Sequence, residues 1–182
     1  LFVAYYRRAY PRYASLKAAI AAGKLGALES VKYTFRKPAA TPGGATPWRL
    51  NAKASGGGLF LDVGSHAVDL LEFVLGEALA DVAGSARGSP GEVERAVSLT
   101  FRAAGAAGEA TWDFEADGDE DSLVITGDAL VARCPAVMNG VDVVYERPDG
   151  TEVARETFPA PSPVQGPLVQ TVVDALLDGA AC

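Results

Sequence analysis

The chain has 182 residues, of which 49% are hydrophobic and 21% charged, and its formal net charge is −7 with a pI near 4.7. This composition is typical of a globular domain, and its acidity disfavours nucleic acid and anionic membranes as partners. No apolar run is long enough to span a bilayer, and two widely separated cysteines predict neither a disulfide framework nor a zinc site, so we expect a cytoplasmic protein.

The first elements in the chain are a predicted strand, a helix and a second strand. The apolar run Leu1–Tyr5 favours a short buried strand. Pro11 and Gly23 frame a helix, because proline suits the first helical position and glycine the position just past the last. Residues 27–38 then alternate apolar and polar side chains, as in a half-buried strand.

Residues 38–58 form a predicted loop that is rich in proline, glycine and alanine. A loop of this length inside a compact domain is commonly functional. It carries Trp48 and Arg49, two residue types that contact ligands well. Trp48 is equally suited to capping the hydrophobic core, so both interpretations stay open.

Behind a central helix the sequence turns to β structure. Alternating segments separated by turn residues lie at 92–103, 108–116, 121–127 and 129–134, and a Pro-Asp-Gly turn predicts a hairpin over 141–158. Residues 167–179 predict an amphipathic helix. Successive hairpins favour an antiparallel sheet, so we predict an α+β domain in which an open, mostly antiparallel sheet carries helices on one face.

The central helix, predicted over residues 59–75, is apolar around most of its circumference but carries Asp62, His66 and Asp69. His66 is the only histidine of the chain. Spacings of four and three residues place these side chains on one helix face. Burying ionisable groups is costly unless they are paired or used, so this stripe predicts either a polar partner or a cleft.

This stripe suits proton transfer, since a histidine titrates near neutrality and a carboxylate one turn away can orient its ring. The alternative is a helix-stabilising Asp62–His66 pair, with Asp69 meeting an arginine elsewhere in the fold. One histidine and two carboxylates lack further ligands, so no metal site is predicted. Glycines at 56–58 allow a ligand to approach the backbone closely at the start of the helix.

The stretch SGGGLFLDVGSHAVDLLEFVLG, at residues 55–76, resembles the motif of the Gfo/Idh/MocA family of NAD(P)-dependent oxidoreductases, the relatives of glucose-fructose oxidoreductase and inositol dehydrogenase. The flanking VAYYRRAYPRYASLKAAIAAGKLGALESVKY and PWRLNAKASGGG are similar to the start of that family's C-terminal domain and to its active-site loop. The resemblance implies the C-terminal domain of the glucose-fructose oxidoreductase-like fold. It also implies NAD or NADP as cofactor and a sugar, cyclitol or related polyol as substrate.

Carried over to this chain, the resemblance implies that His66 is the general acid/base and that Asp62 holds the substrate hydroxyl or the imidazole. It implies substrate contacts from Tyr5, Arg7, Arg8, Trp48 and Arg49. Gly57 and Gly58 would approach the cofactor.

The family's glycine-rich dinucleotide fingerprint and its Glu-Lys-Pro segment are absent from residues 1–182. We therefore expect an N-terminal Rossmann domain outside this chain, and an isolated chain without activity. The family also implies homo-oligomers that assemble through the sheet. Two alternatives stay open: a non-catalytic, sheet-mediated oligomerisation module, and reuse of the scaffold for lyase or hydrolase chemistry.

Overall fold

A computed structural model of the protein describes residues 2–38, 48–88 and 92–181. The α-helices are α1 (Pro11–Ala21), α2 (Ala52–Ser55), α3 (Ser65–Leu75) and α4 (Gly166–Asp178). Turns of 3-10 helix lie at Tyr6–Ala9 and Trp48–Leu50, and a π-helical turn, Phe60–Gly64, runs directly into α3. The strands are β1 (Leu28–Arg36), β2 (Ala80–Arg87), β3 (Ala96–Ala103), β4 (Ala106–Asp113), β5 (Glu120–Gly127), β6 (Val131–Cys134), β7 (Asp142–Glu146) and β8 (Glu152–Thr157).

The strands form one open, 8-stranded sheet in the order β2-β3-β4-β1-β5-β6-β7-β8. Strand β1 lies near the centre and runs parallel to β4, with Tyr33 opposite Ala110. The remaining neighbouring pairs are antiparallel. The predicted α+β fold with an open, mostly antiparallel sheet is therefore confirmed.

The core lies between one face of the sheet and helices α1 and α3. The alternation predicted for β1 is observed, since Val31, Tyr33 and Phe35 are all buried. Tyr13 and Leu16 of α1 belong to the same buried cluster, which also takes in residues of α3, β4 and β5, among them Leu70, Leu71, Val74, Trp112 and Ile125. The helices thus cover one face of the sheet, as predicted.

A buried arginine fastens α1 to the loop that follows β6. The side chain of Arg12 is 2% exposed, and its guanidinium donates to the carbonyl oxygens of Asp142 at 3.0 Å, Ala136 at 2.8 Å and Gly140 at 2.8 Å. The Tyr13 hydroxyl donates to the carbonyl of Val137 in the same loop. Otherwise unpaired loop carbonyls are thereby satisfied inside the protein, which holds the helix in register over the sheet.

The prediction of a strand at Leu1–Tyr5 is wrong for the described part, because Phe2–Tyr5 join no sheet and the chain turns into 3-10 helix at Tyr6. The run is not buried either, since Phe2 and Val3 are 49% and 58% exposed, while Tyr5 packs on a side chain of α3. Strand β2 was not predicted, since every one of its residues is exposed and no alternation marks it.

The predicted loop at 38–58 contains short helical turns where it is described, and its residues 39–47 lie outside the described part, as do Leu1 and Cys182. Among the described residues, no helix combines the length and the apolar character needed to cross a membrane.

Candidate active site

The π-helical turn Phe60–Gly64 sets the geometry of the polar stripe. Phe60 packs edge-on against Trp112 of β4, with ring centroids 4.9 Å apart. Gly64 makes this possible, because a Cβ there would lie 2.5 Å from the Phe60 ring. The wider π turn interrupts the regular α-helical spacing between Asp62 and His66, and π turns are frequent at functional sites.

His66 lies between two tyrosines near the start of the chain. Its ring centroid is 5.4 Å from that of Tyr5, in an edge contact, and 5.6 Å from that of Tyr6. The side chain is half-buried, so the ring keeps a path to solvent. Sequence reasoning named Tyr5 but missed Tyr6, and the only available signal was that the two aromatic residues are adjacent.

The surroundings of His66 favour its neutral form. Burial lowers the pKa of the imidazole, and the positive charge of Arg7 lowers it further. The carboxylates of Asp62 and Asp69 act in the opposite direction, but more weakly. A neutral imidazole at neutral pH can accept a proton from a substrate hydroxyl.

Asp62 pairs with an arginine of the preceding segment and not with the imidazole. Its Oδ2 lies 2.7 Å from Nε of Arg49, and the two side chains are 44% and 47% exposed. The Arg49 guanidinium also lies over the Trp48 ring, with Cζ 4.7 Å from the centroid. The structure therefore brings Asp62 of the predicted helix together with Trp48 and Arg49 of the predicted loop.

Asp69 meets an arginine elsewhere in the fold, as the structural interpretation of the sequence expected. Its carboxylate is 7% exposed and lies 2.6 Å from Nη2 of Arg8, which also donates from Nε. This pairing raises the pKa of the Arg8 guanidinium. The predicted stripe is thus divided into two ion pairs, one on each side of His66.

Two cavities are lined in part by Tyr5, the residue that contacts His66. A cavity of about 330 Å³ runs along the helix face from Tyr5 past Gly64 and Ser65 to Glu72. A second cavity, of about 660 Å³, is lined by Tyr5, Arg8 and Asp69 together with apolar side chains of the chain start and of α4. Neither cavity is lined by His66, Asp62 or Arg49, but a small molecule in either one would lie beside the Tyr5 side chain, which contacts His66.

The two glycines predicted to approach a cofactor differ in their surroundings. A Cβ on Gly57 would meet the flexible side chain of Leu61 at 2.0 Å. A Cβ on Gly58, which is buried, would lie 2.8 Å from Cβ of Val93 and 2.5 Å from a carboxylate oxygen of Glu94. The chain's own packing therefore requires glycine at position 58, whatever that backbone binds.

A family model described as the GFO/IDH/MocA C-terminal domain matches residues 13–132, a range that includes Asp62 and His66. A search of curated protein sequences found no significant match.

Solved structures share the fold at low sequence identity. A levoglucosan dehydrogenase in complex with NADH and levoglucosan is 18% identical, with a TM-score of 0.81 over 100% of this chain and 57% of that one. An oxidoreductase domain protein from Kribbella flavida is 20% identical, with a TM-score of 0.76 over 97% and 57%. An aldose-aldose oxidoreductase from Caulobacter crescentus, complexed with glycerol, is also 20% identical, with a TM-score of 0.77 over 94% and 52%. The chain therefore spans little more than half the length of these proteins.

Proposed function

Because the chain belongs to the GFO/IDH/MocA family as a C-terminal domain, we propose that it is the substrate-binding and catalytic domain of an NAD(P)-dependent oxidoreductase. The reaction transfers a hydride between the nicotinamide and a hydroxyl or carbonyl carbon of a sugar, cyclitol or related polyol. The observation that carries this proposal is the half-buried imidazole of His66, which lies between Tyr5 and Tyr6 and whose pKa is lowered by burial.

His66 is the proton acceptor of the oxidation. An unprotonated imidazole nitrogen takes the proton of the substrate hydroxyl as the carbinol C–H bond breaks, and the C–O bond becomes a carbonyl. In the reverse direction the imidazolium returns that proton to the oxygen. Burial supports this role, because it lowers the pKa of His66 and leaves the ring neutral at neutral pH.

The remaining predicted residues hold the substrate. Asp62 offers the carboxylate oxygen that is not paired with Arg49 to a second substrate hydroxyl, and Arg49 fixes the orientation of that carboxylate. Trp48 is 58% exposed and offers an apolar ring face to the sugar, and Tyr5 offers a second aromatic contact beside His66. Arg8 uses both Nε and Nη2 to bind the Asp69 carboxylate. Its proposed effect on the substrate is therefore indirect, through Asp69.

Hydride acceptance and release is the chemistry that the bound nicotinamide supplies. Gly57 and Gly58 are the residues that we propose lie against it. Gly57 fits this role better, since only the flexible Leu61 side chain lies close to it, whereas Gly58 is already packed against Val93 and Glu94. Most of the cofactor contacts come from a Rossmann domain that we expect N-terminal to this chain.

The substrate class is proposed from the relatives. The solved levoglucosan dehydrogenase structures include complexes with levoglucosan and with L-sorbose, and both are sugar-type molecules with several hydroxyls. The pairing of a base with a neighbouring carboxylate suits such molecules, because one hydroxyl reacts while another is held by Asp62. We also propose that the polar face of the sheet, opposite the helices, joins subunits into a homo-oligomer.

The test replaces His66 by Gln in the protein that joins this chain to its Rossmann domain. With NAD⁺ or NADP⁺ and a panel of sugars and polyols, kcat falls by about 10²–10⁴-fold, the usual contribution of a general base. The control is Arg147→Met, an exposed residue at the turn between β7 and β8, which leaves kcat unchanged. Unchanged turnover in His66→Gln, with intact assembly by analytical ultracentrifugation, would favour the non-catalytic oligomerisation module.

A second experiment tests the assignment of cofactor binding to a separate Rossmann domain. Titration of NADH into the isolated 182-residue chain should give no binding in the micromolar range. Tight binding would contradict the assignment of the cofactor to another domain.

A further inference from the structure

Three charged side chains act on His66, namely Arg7, Asp62 and Asp69, and both of the acids are paired with another arginine. Arg8 lies 2.6 Å from Asp69 and Arg49 lies 2.7 Å from Asp62. Arg7 is 6% exposed, and no carboxylate of the described residues lies within ion-pair distance of it. Its Nε is buried without a hydrogen-bond partner among those residues.

Arg7 reaches His66 through the ring of Tyr6. The guanidinium carbon lies 4.6 Å from the Tyr6 ring centroid, and that centroid lies 5.6 Å from the His66 ring. The three groups are therefore neighbours within the protein. Water screens a buried charge poorly, so the buried guanidinium acts on the imidazole and lowers its pKa.

The charged and titratable groups around His66 leave a net positive charge beside it. The chain start and the first 3-10 turn contribute Tyr5, Tyr6 and Arg7; the π turn contributes Asp62 with its partner Arg49; α3 contributes Asp69 with its partner Arg8. The two acids are each paired with an arginine, so Arg7 is the charge that remains.

The charge of Arg7 also lowers the pKa of Asp121, a residue of β5. Asp121 shares this interaction with Arg12, and burial raises the pKa of its own carboxyl. No ion pair among the described residues joins Asp121 to Arg7, so Asp121 acts on this guanidinium only at longer range.

We propose that Arg7 is a positioning residue that holds the His66 imidazole in its neutral, proton-accepting form. The proposal deepens the proposed function, because it matters for turnover only if His66 is the base. It differs from the substrate contact predicted for Arg7 from the sequence. Burial of the imidazole is the larger cause of the lowered pKa of His66, and Arg7 is the next.

The test measures the pKa of His66 directly. Because the chain has one histidine, NMR titration of its imidazole resonances in a protein without a histidine tag reports this residue alone. Arg7→Met removes the charge and should shift the His66 pKa upward. Arg7→Lys retains the charge and should shift it less, while Arg147→Met, at the exposed turn between β7 and β8, should leave it unchanged.

A wild-type His66 pKa at or above about 6.5, the usual value for histidine, would overturn the proposal even if the Arg7 variants failed to fold. An unchanged pKa in a folded Arg7→Met or Arg7→Gln protein would also overturn it. So would an equal rise in Arg7→Lys, since that would point to packing instead of charge.

Turnover provides an independent reading in the protein with its Rossmann domain. In Arg7→Met the acidic limb of the kcat/KM profile moves to higher pH, and in Arg7→Lys it returns toward the wild-type position. A purely structural role would lower kcat/KM at every pH without moving the limb, and would overturn the proposal. Loss of the limb in His66→Gln tests the proposed function separately from the role of Arg7.

Discussion

Two buried arginines, five residues apart in the sequence, serve different purposes in this fold. Arg12 is 2% exposed, and its guanidinium donates to the carbonyls of Asp142, Ala136 and Gly140. Arg7 is 6% exposed, yet its Nε has no partner among the described residues. A hydrogen-bonded guanidinium stabilises the structure around it, whereas an unpaired one mainly changes the charge that its neighbours experience.

The largest expected effect on stability follows from Arg12→Met. The carbonyls of residues 136, 140 and 142 lose a charged donor inside the protein, so the free energy of unfolding should fall by about 3–5 kcal/mol. Urea denaturation measures this, with Arg147→Met, at the exposed turn between β7 and β8, as the control, expected to change stability by about 0.5 kcal/mol or less. If the variant stays folded, its His66 pKa should match that of the wild type, and a shift would show that the two regions are not separate.

An intermediate effect is expected for Asp69→Asn, which breaks the pair with Arg8. Asp69 is 7% exposed but Arg8 is 48% exposed, so water replaces part of the lost interaction. We expect a loss of about 1–3 kcal/mol in urea denaturation. The pKa of His66 should fall, because the carboxylate that raises it has been removed. A rise in this variant would contradict the charge balance described around the imidazole.

A small effect on stability is expected for Arg49→Gln. Both partners of the Arg49–Asp62 pair are nearly half exposed, at 47% and 44%, so the unfolding free energy should change by about 1 kcal/mol or less. The His66 pKa should rise, because Asp62 raises it and has lost its counter-ion. With the Rossmann domain present, KM for a polyol should rise more than kcat falls. The opposite pattern would argue against a binding role for this pair.

The smallest effect concerns the pH dependence of stability. Folding lowers the pKa of His66, mainly through burial, so the unfolded chain binds a proton more readily than the folded one. The contribution of His66 is fully present above its unfolded pKa of about 6.5 and is lost as the pH falls toward the folded pKa. The stability difference between wild type and His66→Gln should therefore shrink over this range in urea titrations. A constant difference would mean that folding does not perturb the imidazole.

The helix and the hairpins were predictable because their signals are local. The apolar periodicity of residues 59–75 predicted a helix that the structure shows as a π turn followed by α3. The Pro-Asp-Gly turn predicted the pairing of β7 with β8. Strand β2, at the edge of the sheet, was not predicted. All of its residues are exposed, so its sequence lacks the alternation of apolar and polar residues that indicates a strand.

The sequence by itself determined the α+β class and the helical segment that carries Asp62, His66 and Asp69, because periodicity depends only on residues a few positions apart. It did not reveal the π turn that interrupts the spacing between Asp62 and His66. The tertiary structure alone decided which arginine meets which acid, since Arg8 and Asp69 are 61 residues apart and Arg49 and Asp62 are 13 apart. It alone also decided that Arg7 is buried with no ion-pair partner in the described part of the chain, while its neighbour Arg8 has one. Such pairings depend on how distant segments pack, and the same packing fixes the electrostatic environment of His66.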